Sequence, residues 1–470
     1  NIDSQVPNKA VKEWLEAGNL FHDITLIRPE YTYGNSRIDL YVEAGERKLL
    51  IEVKGVTLEE NSVVRFPDAP SERAVKHVTE LKKAAEEGYE TYVFFVIQMK
   101  GVRYFTPNTD THPQFAEALR EAAGLGVRLL AYDCEVTEDS ILVSQEVPVV
   151  LNASGLLETH AEIFADDIIE WYRKNKRALP WRDTKDAYRI WVSEIMLQQT
   201  RVEAVKPYYD RFLKELPDVK ALSEAEEDKL LKLWEGLGYY NRVRNMQKAA
   251  RQIMIDYHGE FPHTYEEICS LTGIGSYTAG AISSFAYNLL QPAVDGNVLR
   301  VIARITGDDR DIMKQSTRKS MEEMLKKVMP EGAPGDFNQG LIELGALMCV
   351  PNGEPKCGEC PAFMYCEARI QGRIGELPVR QKAKKRRVEK RTILVFRDQD
   401  KIAISKRSGR GLLAGLYELP GTEGHLTPDE VTAYCKEIGL MPVQIRSLGE
   451  AKHIFSHIEW HMTGYVVLVD

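Results

Sequence analysis

Four of the seven cysteines fall between residues 349 and 366, at Cys349, Cys357, Cys360 and Cys366, spaced C-x7-C-x2-C-x5-C. Thiols so crowded point to a loop curled around metal, which ties four points of the chain to one place. Zinc and an iron–sulfur cluster both meet that requirement, and composition leaves the choice open. The odd total and the crowding suit a reducing compartment and a metal site better than disulfides. Cys134, Cys269 and Cys435 stand alone and read as buried fillers.

A chain of 470 residues has room for two to four domains, each with its own core. No apolar run is long enough to cross a bilayer, and the opening NIDSQVPNKAVKEWLEAG has neither the basic nor the apolar region of a signal peptide. The expectation is a cytoplasmic, nucleoid-associated monomer without a membrane partner. The formal charge of -9 argues against wholesale binding to polyanions, although a local excess of Lys and Arg suffices for a DNA-binding face. The missing initiator Met and the strand-like GYVVLVD at the other end suggest that both ends are cut.

Residues 271–297, LTGIGSYTAGAISSFAYNLLQPAVDGN, read as a hairpin, a helix over Tyr277 to Leu290 and a loop ending in Asp295. Gly273 and Gly275 flank Ile274, a spacing that lets the backbone turn tightly and aim N–H groups outward at a helix start, where a phosphate can sit. GxG before a helix is equally an ordinary helix-turn-helix corner. With VDGNV behind it, the stretch resembles the helix-hairpin-helix DNA glycosylases. That resemblance implies a hairpin gripping the DNA backbone and an Asp facing the sugar. The endonuclease III branch carries an attacking Lys two residues after the second hairpin glycine. This chain has Tyr277 there, which implies a monofunctional enzyme without strand cleavage.

Apolar residues at three- and four-residue steps run from AEIFADDIIEWYRKN to GLIELGALMC, so residues 153–372 are expected to form an all-α core in two lobes with a cleft for an extruded base. In WVSEIMLQQT, Glu194 sits among apolar neighbours, and burial there raises a carboxyl pKa. A lone Glu on such a helix also reads as the wet boundary. The string VSEIMLQQTRV, however, resembles the MutY-type adenine DNA glycosylases nearly letter for letter. The resemblance implies Glu194 as the acid that protonates adenine at N7 and Asp295 as the carboxylate facing an oxocarbenium-like sugar, with Tyr277 and Asn297 in support. It also implies an adenine pocket lined by Trp181, Arg182 and Gln339, with Gln199 pushed into the gap in the stack and Tyr239 wedged beside 8-oxoguanine. The four cysteines then match the family's [4Fe-4S] motif with one extra residue in the first gap, which Gly353 and Pro355 can absorb in a loop.

Residues 1–152 alternate strand-like and helix-like runs, an α/β layout. Glu52 and Lys54 sit two apart on one strand and so share a face, near Asp39 on another. Such a set could hold a divalent ion and a phosphodiester, and an isolated ExK also reads as charges on a wet face. RID, IEVKGVTL, FPDAPSERAVKHVTEL and GVRLLAYDCEV together resemble the SfsA family, whose core is similar to the PD-(D/E)xK nuclease fold. This implies Asp39, Glu52 and Lys54 as metal and phosphate residues, Glu30 as a further acid, and Mg as the ion. The family's amino-terminal β domain is absent.

The crossing NASG places a boundary near Ser154, and RQKAKKRRVEKR ends a basic linker over 373–391. Residues 392–470 are strand-rich and resemble the Nudix-like domain at the MutY carboxyl end, incomplete here. Its Glu-rich Nudix box is missing, so nucleotide hydrolysis is not expected. Phe455, Ser456 and His457 match the loop that contacts 8-oxoguanine. The sequence thus predicts a fusion of an α/β module, an all-α glycosylase with an iron–sulfur loop and an α+β tail. Its predicted task is removal of adenine opposite 8-oxoguanine or guanine in double-stranded DNA. The alternatives are a non-catalytic DNA-binding protein and an endonuclease III-like glycosylase/lyase.

Overall fold

The computed structural model describes residues 5–381, 386–408, 411–455 and 457–469. Two compact units emerge, Asn1–Ala225 with Met246–Arg380, and Glu226–Asn245 with Gln381–Asp470.

The first unit begins with nine strands: β1 (Ile24–Tyr33), β2 (Ser36–Ala44), β3 (Arg47–Val56), β4 (Leu58–Glu60), β5 (Val63–Phe66), β6 (Glu90–Ile97), β7 (Tyr104–Pro107), β8 (Arg128–Val136) and β9 (Ile141–Glu146). Six form one sheet in the order β1-β2-β3-β6-β8-β9, and β4-β5-β7 form a smaller one. The β3–β6 and β6–β8 pairs are parallel, each joined by a crossover that contains a helix, Glu72–Glu86 or Pro113–Gly124. Strand β3 is buried on both faces because both are covered. Leu49 and Ile51 join Val11 and Leu15 of the first helix, whereas Leu50 joins Val78 and Leu81 of Glu72–Glu86. Glu52 and Lys54 share the face of Leu50 and so look toward that second helix.

NASG reads as loop, yet it begins a helix. Asn152 accepts a hydrogen bond from the Gly155 amide at 2.7 Å and caps Ala153–Thr159. Helices then dominate to residue 347. The helix Ser276–Tyr287 packs against both Ala187–Leu197 and Pro334–Leu347, and the latter also packs on Gly296–Thr306 and Ala161–Asn175. One apolar core spans this region, with Phe164, Val298, Leu341 and Tyr365 fully buried in it. Ser276–Tyr287 stops three residues short of the expected Leu290, where Asn288 turns into the left-handed region at φ 57°.

In the second unit, Arg387–Asp398 pairs in parallel with Ile458–Val469, which pairs antiparallel with Pro442–Ile454. The helix Pro428–Glu437 closes one face through Val431 and Cys435, packed with Leu394, Phe396, Tyr465 and Val467. The strand starts at Arg387, inside the stretch assigned to the linker, because Arg387 already pairs with Ile458. Residues 382–385 and Ser456 lie outside the described residues.

Candidate active site

Asp186 caps Ala187–Leu197 by accepting from the amides of Tyr188 and Arg189 at 2.9 and 3.3 Å. The helix is buried on nearly every side and holds Glu194 at 6% exposure. Its only direct partner among the described hydrogen bonds is Tyr277, whose hydroxyl donates to Glu194 Oε2 at 2.6 Å. Burial pushes the Glu194 carboxyl up to about 7, and the nearby Asp295 charge adds to this against the opposing pull of Tyr277 and Arg182. At neutral pH this carboxyl can both hold and give a proton.

Asp295 is the cap of Gly296–Thr306. Its Oδ1 accepts from the amides of Asn297 and Val298, both at 2.8 Å, and its Oδ2 accepts from Asn297 Nδ2 at 2.7 Å. Burial raises its pKa above the ordinary value, while those three donors favour the anion. Arg300 Nη2 then fixes Asn297 through Oδ1 at 2.9 Å and donates to the Gly345 carbonyl at 2.7 Å. Two carboxyls in one charge environment are thus held differently, one by a phenol and burial, the other by a helix start.

Arg182 belongs to the same field. Its Nη2 donates to Glu343 Oε2 at 2.6 Å, and its guanidinium lies 5.4 Å from the centre of the Tyr172 ring. Its Nη1 is buried and has no partner in the structure. The Tyr172 hydroxyl donates to Gln339 Oε1 at 3.0 Å, tying Gln339 to this group. Trp181 is buried with its ring 5.3 Å from Tyr209, edge to face. Gln199 lies beyond the helix end, exposed and at φ 58°, a strained backbone for a side chain with a Cβ. Tyr239, in the second unit, is also at positive φ and half exposed.

The hairpin joins Tyr265–Ser270 to Ser276–Tyr287. Gly273 takes φ 81°, and Gly275 is the cap residue of the second helix with no side chain to cover its first amides. Ile274 is buried and anchors the turn.

Cys349, Cys357, Cys360 and Cys366 line one cavity of about 430 Å³, counting the part open to solvent, with Arg304 and Arg369 at its wall. Residues 350–356 form no regular element, and Gly353 takes φ 82°, so the first gap between cysteines runs as a loop. Burial raises the Cys360 and Cys366 thiols, the latter to about 11. Arg304 Nη1 lies 3.3 Å from Cys349 Sγ. Thiols that cannot ionise alone in such a place do so when iron or zinc takes the charge. Among the described residues no three His, Cys, Asp or Glu side chains meet around one point.

The same holds among the described residues of the first module. Glu52 is buried and is engaged by Lys54 at 2.5 Å and by His77 Nδ1. Burial alone would raise its carboxyl, but the His77 hydrogen bond and the Lys54 charge outweigh that and hold it below the ordinary range. Asp39 accepts from Asn8 and from the Val53 amide, both at 2.8 Å, and burial and the Glu52 charge raise it. Glu30 stands apart, paired with Arg37 at 2.9 Å and exposed. Glu52 Oε2 is buried with no hydrogen-bond partner among the described residues.

Residues 5–140 match the sugar fermentation stimulation protein RE domain, 192–330 the HhH-GPD superfamily of base excision DNA repair proteins, and 391–470 the NUDIX domain. The adenine DNA glycosylase of Buchnera aphidicola subsp. Baizongia pistaciae is 33% identical over 311 residues, 66% of this chain and 87% of that protein. The chain belongs to the adenine DNA glycosylase family. The mouse adenine DNA glycosylase is 34% identical over 367 residues, 65% of this chain and 71% of the relative. A sugar fermentation stimulation protein homolog of Clostridium beijerinckii is 56% identical over 151 residues, 32% of this chain and 67% of its own length. This adenine glycosylase therefore carries an SfsA domain ahead of its helical core. No described helix is long and apolar enough to cross a membrane.

Two residues of this adenine glycosylase escaped the sequence reading. Glu343, fully buried, accepts from the Arg177 amide and side chain at 2.7–2.9 Å as well as from Arg182. Burial alone would raise its carboxyl, but the two arginines hold it down at about 2. An acid amid apolar residues in GLIELGALM was the available signal, the same one that singled out Glu194. His77 gave no comparable signal, since its partner Glu52 is on a strand well before it. Of the lone cysteines, Cys134 and Cys435 are buried, and Cys269 is only half-buried.

Proposed function

We propose that this chain hydrolyses the N-glycosidic bond of adenine paired with 8-oxoguanine or guanine in double-stranded DNA, acting as a monomer and without strand cleavage. The observation that carries the reading is the Tyr277–Glu194 hydrogen bond beside Asp295. The hairpin position that would need an amine for lyase chemistry holds a phenol, spent on the carboxyl poised to give a proton. Glu194 in its protonated form donates to N7 of the extruded adenine, so the base leaves neutral. Asp295, kept anionic by its helix-start donors, faces the positive charge that develops on the sugar, and water completes the bond. Asn297 holds Asp295, and Tyr277 orients Glu194.

Arg182, Trp181 and Gln339 form the adenine pocket in this reading. The strained, exposed Gln199 enters the gap left by the base, and the exposed Tyr239 wedges beside the opposite base. The amides at Gly273 and Gly275 take a backbone phosphate. Phe455 and His457, with Ser456 between them, contact 8-oxoguanine. The functional pieces are the SfsA domain over 1–152, the glycosylase core over 153–372 and the recognition domain over 392–470, with the linker at 373–391.

The four cysteines would hold a [4Fe-4S] cluster. Four thiols lining one pocket are a donor set that would fit such a cluster. Such a cluster supplies a rigid, charge-bearing fold to the loop, and no chemical step is assigned to it. No metal-dependent cleavage is assigned to the first module.

Single-turnover release of adenine from a duplex with one 8-oxoguanine:A pair tests the reading. Rapid release is expected from the wild type, with strand breaks only after alkali. Glu194→Gln and Asp295→Asn should each slow release by at least about a hundredfold. Release undiminished in either variant, or breakage before alkali, overturns it.

A further inference from the structure

The SfsA domain and most of the glycosylase core lie in one compact unit, and several contacts between them reach the segment that carries Cys360 and Cys366. Three alternate residues bracket Cys366, and each is tied to the amino-terminal side of the molecule. Tyr365 donates to Asp167 Oδ2 at 3.1 Å, and Arg103 of the first module donates to the other oxygen of the same buried carboxylate at 2.6 Å. Glu367 accepts from the Ala153 amide at 3.4 Å, at the crossing between the modules. Arg369 donates to Asp110 of the first module at 2.7 Å, while its Nε holds the Phe363 carbonyl at 2.8 Å and its guanidinium stacks 4.0 Å over the Phe363 ring. Phe363 and Arg369 are walls of the thiol cavity.

The apolar part of the contact follows the same line. Val63 and Tyr104 of the first module are buried in the core that contains Ala362 and Tyr365, against which Cys349, Cys360 and Cys366 pack. The segment 362–369 is therefore walled on one side by the first module.

We propose that the SfsA domain is the retaining wall of the metal loop: through Arg103 and Asp110 it holds the Cys360–Cys366 segment closed and slows escape of the bound iron. The proposal rests on the four-cysteine reading above. Loss of metal from a loop of this kind requires local opening, and contacts that exist only in the closed state set how often it opens.

The test uses the full-length, iron-loaded protein challenged with an excess of a ferrous chelator, with iron release followed by absorbance. Asp110→Asn and Arg103→Gln are compared with the wild type and with Glu117→Ala, an exposed position in the same module outside the contact. Asp110 is itself nearly half exposed, so Asp110→Asn leaves folding intact. Asp110→Asn should release iron about fivefold faster, while Glu117→Ala matches the wild-type rate and both keep the wild-type melting midpoint. Arg103→Gln, which leaves the buried Asp167 without its cation, should release iron faster than its fall in midpoint accounts for. Equal release rates across the set overturn the retaining role alone, as does acceleration that only tracks a fall in melting midpoint. A wild-type protein that binds no iron overturns the four-cysteine reading and this proposal with it.

Discussion

Glu194 shows what a buried acid costs when it must be ready to give a proton. Its folded pKa of about 7 lies above the ordinary 4.5, so the folded state binds the proton more tightly than the unfolded chain. The stabilisation from that proton is complete below about pH 4.5 and is lost as pH rises to about 7. Beyond that the buried carboxylate costs the fold on the order of 3 kcal/mol. Glu194→Gln, which mimics the protonated form, should melt with the wild type at pH 5 and well above it at pH 8. Melting curves that run parallel from pH 5 to 8 would place the proton elsewhere. Wild-type adenine release should fall over the same window, because only the protonated acid assists departure of the base. Glu343 answers burial in the opposite way, with two arginines rather than a proton, and so keeps its charge. Both acids look alike in sequence, and the difference lies in partners that neither local segment contains.

Among the elements, the helix Pro334–Leu347 does more to assemble the site than its composition suggests. Gly345 lies so near Gly296–Thr306 that an added Cβ would sit 2.6 Å from Asn297 Cβ and 3.1 Å from its carbonyl oxygen. Asn297 holds Asp295, so the absence of a side chain at Gly345 places the second carboxylate. Gly345→Ala is expected to cost about 1–3 kcal/mol in stability and to slow base release. Gly358, with nothing within 4 Å of an added Cβ, is the matched control and should change neither. Equal behaviour of the two variants in thermal melts and single-turnover assays would remove this contact from the account. The hairpin works differently, through a positive φ at Gly273 and a bare helix start at Gly275, both properties of the local chain.

At the scale of the whole molecule, the modules read along the sequence and the units that fold together are not the same. Val63 and Tyr104 of the SfsA domain lie in the glycosylase core with Phe164, Leu341 and Tyr365, while the rest of the SfsA domain packs into two clusters of its own in the same compact unit. Contacts that run between two cores inside one compact unit should couple their unfolding. Calorimetry of the full chain is expected to show two transitions, one for each compact unit. A separate third transition, with exchange of amide hydrogens confined to residues 24–146, would show the SfsA domain to be independent.

The sequence by itself determined whatever depends on short-range chemistry. The two-residue spacing of Glu52 and Lys54 on β3, the thiol spacing, the glycines of the hairpin and the capping Asp295 all act within a turn or a strand, and they carry the family resemblance. The Glu194–Tyr277 pair joins two helices, and only their packing made it. Tertiary structure alone decided that Glu52 Oε1 is engaged by His77 and Lys54, and that Glu343 anchors Arg177 and Arg182. It alone set Arg103 of one module on Asp167 of the next. A charged side chain has the same local pattern whether solvent, a metal or an opposite charge satisfies it. Only packing removes the water, and with it the choice.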